Sequence, residues 1–417
     1  MTHDDIIALD NHCESLEGIS ANRDAVFWYL RNGFLNVPGL PMFRGDKLQS
    51  SSQISIPKDS FGPESPISLL RSRLLEFVTS RKDVGILVSG GVDSNLCLQL
   101  MSESGLKPGN DFRCFHGVFG NTKYQELEGI PSHFREFVEL VNLRLDDEYL
   151  ISSEFKTFLG SMMQPVNGLI AFLIFKTILY AKSQGIKHLI VPSLDVVFLQ
   201  SEVQVREKRI TEKSFEVTGG NGSYKVEKVN FVADDALDIL TNFDSFSFVF
   251  DKPEDFKNCN YFYSIEPQLM FRRYPLVEFL QIGRTCGVEV WSPYNSKQIL
   301  HSISSSCDAK NLWITAGKPL LKNYLMQKIP DFTPVSKVVT SPQREMLYHI
   351  VPYLIDRAKN GILAGGGLIK PGELLEYIAN YTQFIESVGI TELDRAFGSF
   401  NSNVLWRFFV TETWIEL

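Results

Sequence analysis

Val84-Gly85-Ile86-Leu87-Val88 runs straight into Ser89-Gly90-Gly91-Val92-Asp93-Ser94, and this junction decides how the chain is read. A short apolar run bounded by glycines reads as a buried strand. The stretch after it, Asn95 to Met101, has a helical pattern. Strand, Ser-Gly-Gly and helix together make a phosphate cradle. The two glycines leave backbone N–H groups uncovered, the Ser89 and Ser94 hydroxyls add donors, and the helix start adds positive potential. No Gly-Lys-Ser/Thr follows, so this is not a Walker loop. An acidic side chain inside such a cradle calls for a cation between it and the phosphates, which makes Asp93 a candidate Mg²⁺ ligand. The alternative is a glycine-rich turn that closes a buried strand, with Asp93 as a helix N-cap.

Working outward, strand-like and helical patterns alternate, as in a doubly wound, mainly parallel α/β sheet with helices on both faces. Upstream, Ser65 to Ser80 carries Leu69, Leu70, Leu74, Leu75 and Val78 on one helical stripe. Downstream the sequence predicts a strand at Phe112 to Phe119, a helix over Gln125 to Leu140 and a third strand at Asn142 to Leu145. A helix over Leu169 to Ser183 ending at Gly185 and a strand at Lys187 to Pro192 follow. The charged, alternating segment 202–232, turned by Gly219-Gly220-Asn221-Gly222, reads as an inserted β-hairpin. From Phe271 onward the pattern is mostly helical, with a glycine-rich bend at Gly361 to Gly367. Residues 1–64 form a short preface, with an amphipathic helix at Asp24 to Asn32 and a Pro/Gly-rich loop at Val37 to Lys47, and residues 65–417 form the main domain.

The chain has 417 residues, 44% of them hydrophobic, enough to bury a full α/β core. A net charge of −8 argues against a broad nucleic-acid or membrane surface, which needs a basic face. Cys13, Cys97, Cys114, Cys259, Cys286 and Cys307 show no Cys-x-x-Cys spacing and read as reduced cysteines of a cytoplasmic protein. The most apolar segment, Gly168 to Ala181, is short and carries Lys176, so it reads as a buried helix. The N-terminus shows no hydrophobic signal region.

Several motifs occur in an order that resembles the synthetase domain of the asparagine synthetase family, including its β-lactam synthetase branch. These enzymes carry an ATP-pyrophosphatase loop on an adenine nucleotide α-hydrolase-like fold. Phe27 to Phe34 with Phe43-Arg44-Gly45 resembles the linker between that family's glutaminase and synthetase domains. Ser89 to Ser94 resembles its ATP loop, and Gln164-Pro165-Val166-Asn167-Gly168 stands at its acidic-Pro turn. Asp195-Val196-Val197-Phe198 stands at its Asp-Glu-Leu-Phe metal motif. Gly287 to Asn295 is similar to Gly-x-Glu-x-Arg-x-Pro-Phe-x-Asp, and Lys318 to Lys322 to Lys-x-x-Leu-Arg. Lys337 falls at a catalytic lysine, and Leu405-Trp406-Arg407 with Trp414 match the closing helix.

The departures shape the expectation as much. The family's glutaminase domain starts with a cysteine nucleophile and occupies roughly 200 residues. Here residue 2 is Thr2 and 88 residues precede Ser89, so the chain is expected not to use glutamine through a glutaminase of its own. Ile190-Val191-Pro192-Ser193-Leu194 replaces the Ser-Gly-Glu-Gly stretch and puts Pro192 at the family's acid/base position. Trp291 replaces an Arg and Asn295 an Asp, so the substrate need not be aspartate.

The resemblance implies an ATP- and Mg²⁺-dependent ligase that activates a small-molecule or peptide carboxylate as its acyl-adenylate and joins it to an amine or ammonia. A separate ammonia-supplying or substrate-carrying protein is a candidate partner. Val88, Ser89, Gly90, Gly91, Asp93, Ser94, Gly117 and Lys318 are the candidate nucleotide contacts. Asp93 and Asp195 follow different strand ends of one sheet and are the candidate metal ligands. Lys337 is a candidate catalytic cation, set against a solvated loop lysine. Lys318 reads as a phosphate contact or a helix cap. Glu278 and Glu289 are candidate bases for the amine, set against structural ion pairs with Arg272, Arg273 or Arg284. His116 reads as a core histidine. Two other classes stay open: a nucleoside- or tRNA-modifying ATP pyrophosphatase, and a non-catalytic nucleotide-binding relative.

Overall fold

A computed structural model describes residues 65–120, 126–162, 165–166, 168–192, 215–219, 222–226, 274–294, 296, 299, 319–329, 332, 342–388 and 402–417. Helix α1 (Pro66–Thr79) leads into β1 (Val84–Leu87) and α2 (Val92–Glu103), followed by β2 (Arg113–Phe119) and β3 (Val138–Leu143). Next come α3 (Ser153–Gly160), α4 (Ile170–Ser183) and β4 (His188–Ile190). Strands β5 (Phe215–Gly219) and β6 (Gly222–Val226) form a hairpin, and α5 (Tyr274–Cys286) leads to β7 (Glu289–Trp291). The remainder described is helical: α6 (Pro319–Lys328), α7 (Gln343–His349), α8 (Val351–Asn360), α9 (Pro371–Val388) and α10 (Ser402–Glu416).

Five strands pair in the order β3-β2-β1-β4-β7, every neighbour parallel. The chain therefore builds outward from β1 through β2 and β3, then returns to the other side of β1 for β4 and β7. Strand order reverses at β1, and in such sheets ligands gather in the crevice outside the carboxyl ends at the reversal.

Side chains of successive strand residues point to opposite faces, and here both faces are buried. Val84, Ile86 and Val88 join Cys114 and Ile190 in a cluster with Leu70, Leu74, Leu96 and Leu100 of α1 and α2. Phe115, Leu189 and Val290 join a second cluster with Leu173 and Ile178 of α4, Ile282 of α5 and Phe409 of α10. Each fully buried Leu or Phe contributes about 1.5–3 kcal/mol, so a strand buried on both sides is strongly held. The closing helix reaches the same core. Trp406 Nε1 donates to the Val166 carbonyl (2.9 Å) and Trp414 Nε1 to that of Met162 (2.8 Å).

The α/β expectation is met in this form, a parallel sheet covered by helices with a mostly helical remainder. The hairpin forms within 202–232, and its register pairs Gly219 with Gly222 across a two-residue connection. Helix α4 ends as read, with Gly185 beyond it at φ 87°. One reading is corrected. The single helix expected over Gln125 to Leu140 is absent among the described residues. A 3₁₀ turn at Glu126–Gly129 and one helical turn at Ser132–Arg135 stand there instead, and Val138 to Leu140 already belong to β3. Pro131 interrupts the helical run because it brings no N–H, and the backbone beyond finds its partners on β2. Strand β7 was hidden inside the region read as mostly helical.

Candidate nucleotide site

Pairing with β2 carries the chain one residue past β1, where the Val88 N–H donates to the Phe115 carbonyl (2.8 Å). Helix α2 then starts at Val92, earlier than the Asn95 read from the pattern. Its N-cap is Gly91, with extended backbone (φ −78°, ψ 162°) and no side-chain cap. Asp93 is therefore not the cap. It lies in the first helical turn, 6% exposed, where a negative charge is favoured by the helix dipole.

The two serines do different work. Ser94 Oγ donates to the Ser89 carbonyl (2.7 Å) and accepts from the Ser89 N–H (3.0 Å), so Ser94 fastens the loop to the helix start. Ser89 Oγ lies 3.2 Å from Ser94 Oγ and accepts from the Gly91 N–H at 3.3 Å. With the Ser94 hydrogen given to the Ser89 carbonyl, the half-buried Ser89 hydroxyl is the donor between the two side-chain oxygens.

These features fit a triphosphate. Gly90 and Gly91 lead into an uncapped start of a twelve-residue helix, a concentration of backbone donors and positive potential. They also fit Mg²⁺, which is usually held by one or two carboxylates together with phosphate oxygens and water. Asp93, in the first helical turn behind the loop, is such a carboxylate; among the described residues no three His, Cys, Asp or Glu side chains gather as a ligand set. Asp195, Lys318 and Lys337 lie outside the described residues.

Gly117 comes level with Ser89, since the register sets Leu87 beside Phe115. A Cβ there would sit 2.4 Å from Thr177 Oγ1 and 3.0 Å from Leu173 Cγ, so the glycine is required for α4 to pack on β2. His116 is 3% exposed, as a core histidine should be, and its Nδ1 lies 2.8 Å from the Val88 carbonyl oxygen. Burial lowers its pKa below the usual histidine value. From the segment after β7, the buried Tyr294 hydroxyl donates to the Asp93 carbonyl (3.1 Å) and steadies the first turn of α2. Trp291 stacks on Phe77 (4.1 Å between centroids, 8° between planes) and has the Arg73 guanidinium over it, which makes it part of the α1 contact.

Glu278 and Glu289 separate. Register aligns Val84, His188 and Glu289 in one row at the amino edge of the sheet. Val88 lies four residues further along the strand direction, about 13 Å away. There Glu289 Oε2 lies 2.6 Å from His188 Nδ1, and Oε1 is 3.5 Å from Arg81. The structure does not bring Glu289 to the loop, because the first residue of a parallel strand lies at the opposite end from its exit. Arg81 and His188 are its described partners, which favours the structural ion-pair reading. Glu278 is 2% exposed on α5, which ends at Cys286 just before β7 and packs against that strand. Eight residues back along the helix is about 12 Å, which sets Glu278 level with the carboxyl edge.

Sequence reading missed the Ser94, His116 and Tyr294 bonds. All three end on backbone groups, which leave no spacing signal. Compared with known proteins, the chain matches no family model and no curated sequence.

Proposed function

We propose that this chain is an AMP-forming, ATP-dependent amide ligase of the asparagine-synthetase-like kind. The observation that supports it most is the Ser89–Ser94 loop at the carboxyl end of β1, where the strand order reverses and α2 starts without a side-chain cap. A carboxylate oxygen of the substrate bonds to the α-phosphorus of ATP as the bond to pyrophosphate breaks. The Gly90 amide holds the departing pyrophosphate, joined by the Ser89 hydroxyl and the Gly91 amide as they exchange their bonds within the loop for phosphate oxygens. Bound Mg²⁺, held by Asp93 and Asp195, would neutralise charge on that leaving group. An amine nitrogen then bonds to the acyl carbon, AMP leaves, and Glu278 takes the amine proton. Lys337 supplies positive charge where the tetrahedral intermediate is negative. The product is an amide, whether by amidation with ammonia or by closure of a lactam.

An ATP–pyrophosphate exchange assay against a panel of carboxylic acids and amines tests this directly. Acid-dependent exchange is expected before any amine is added. ATP binding with no exchange or AMP formation across the panel would contradict it and favour a non-catalytic nucleotide binder.

A further inference from the structure

The carbonyl of Val88 and the N–H of Ser89 belong to one planar peptide unit, the last before the glycines. Strand pairing holds the chain as far as the Val88 N–H; the next peptide is held by side chains. On its oxygen side stands His116 Nδ1, at 2.8 Å. A carbonyl only accepts, so Nδ1 carries the ring's hydrogen. On its N–H side stands Ser94 Oγ, at 3.0 Å.

The imidazole is poorly explained as filler. His116 is 3% exposed, and its Nε2 is buried with no hydrogen-bond partner among the described residues. A hydrocarbon of similar size would occupy the space without stranding an acceptor. What the ring has and a leucine lacks is the Nδ1–H, and that hydrogen goes to the peptide at the mouth of the loop. We propose that His116 is a positioning residue: with Ser94 it clamps the Val88–Ser89 peptide from both sides and so aims the loop donors that follow. The proposal rests on reading the loop as a pyrophosphate cradle, but the clamp is measurable without any ligand.

His116→Leu removes the donor and keeps bulk, while His116→Asn restores an amide nitrogen where Nδ1 stood. Residue-resolved amide hydrogen exchange and Mg·ATP titration are measured on the full chain. In His116→Leu, Ser89 exchange should rise at least about tenfold while Leu96 to Met101 in α2 exchange as in wild type. Mg·ATP affinity should fall by about tenfold, and His116→Asn should recover both to within about threefold. If His116→Leu does not fold, His116→Gln, whose amide reaches the Nε2 position instead, is the second donor-lacking variant. Unchanged Ser89 exchange in the donor-lacking variant would overturn the clamp, as would a folded His116→Asn as loose as it. If wild type binds no Mg·ATP, the nucleotide reading fails, and the clamp is still decided by the Ser89 amide.

Discussion

The two ends of the same parallel sheet are built in different ways. At the amino edge, polar side chains meet one another: Lys187 pairs with Asp83 (2.9 Å), and Arg81 with Glu289, whose other oxygen lies 2.6 Å from His188 Nδ1. At the carboxyl edge of β1 the described contacts run mostly from side chain to backbone. Ser94 holds Ser89, His116 holds Val88, and Tyr294 holds the Asp93 carbonyl. One end neutralises itself with exposed and partly exposed pairs, which solvent and salt screen. The other uses its side chains to set the direction of peptide groups. A preorganised backbone is what an anion site requires, whereas matched charges leave little for a ligand to do.

If the proposed function holds, the same substitution at Lys337 and at Lys187 should have unequal effects. Lys337→Met is expected to lower turnover by roughly two to three orders of magnitude with little change in ATP binding, the pattern of an interaction made mainly in the transition state. Lys187→Met, at the amino edge, should leave turnover unchanged and stability close to that of wild type. Steady-state kinetics and denaturant unfolding of both variants check this, and equal turnover losses would break the comparison.

Gly117→Ala should destabilise the fold by about 1–3 kcal/mol, because the new methyl meets Thr177 Oγ1 at 2.4 Å. The double variant with Thr177→Ser would keep the clashing oxygen, whereas Thr177→Ala would remove it and recover most of the loss in urea unfolding. No recovery would show that the backbone at Gly117 matters for something other than packing on α4.

The smallest effect is in pH. Burial holds the His116 pKa below the ordinary 6.5. As pH falls through that value the unfolded chain takes up its proton first, so His116's contribution is fully present above pH 6.5 and declines below it. The stability of wild type relative to His116→Leu should fall between pH 7.5 and pH 5, as urea unfolding would show. A difference independent of pH would mean that the ring is not held neutral.

Much of the fold was legible because its physical signals are local. Val84 to Val88 is apolar at every position, as a strand buried on both faces must be, and α4 is a long apolar run stopped by Gly185. Gly219 to Gly222 announced a tight hairpin. Strand β3 was legible only at its end, Asn142 and Leu143, and its start at Val138 was not. Phe134, Phe137, Val138 and Val141 mimic a helical stripe, yet Phe137 and Leu140 are left exposed at the sheet's outer strand, 41% and 50%. Three-residue β7 is too short to show a period and is stabilised by pairing with β4. Of the candidate site, the loop and Asp93 were visible as residue types in a fixed order. Motif order does not tell which end of a strand Glu289 occupies. Only register with His188 and Val84 shows that it stands at the amino edge, away from the loop.

Calorimetric titration of Mg·ATP into wild type, Asp93→Asn and Glu289→Gln tests the difference between the edges most directly. Both substitutions remove one carboxylate charge with almost no change in shape. Wild type and Glu289→Gln should bind alike, while Asp93→Asn should lose at least about tenfold in affinity, or about 1.4 kcal/mol, and lose its dependence on Mg²⁺. Equal binding by all three, or a loss in Glu289→Gln matching that in Asp93→Asn, would contradict the assignment of the carboxyl edge as the nucleotide site.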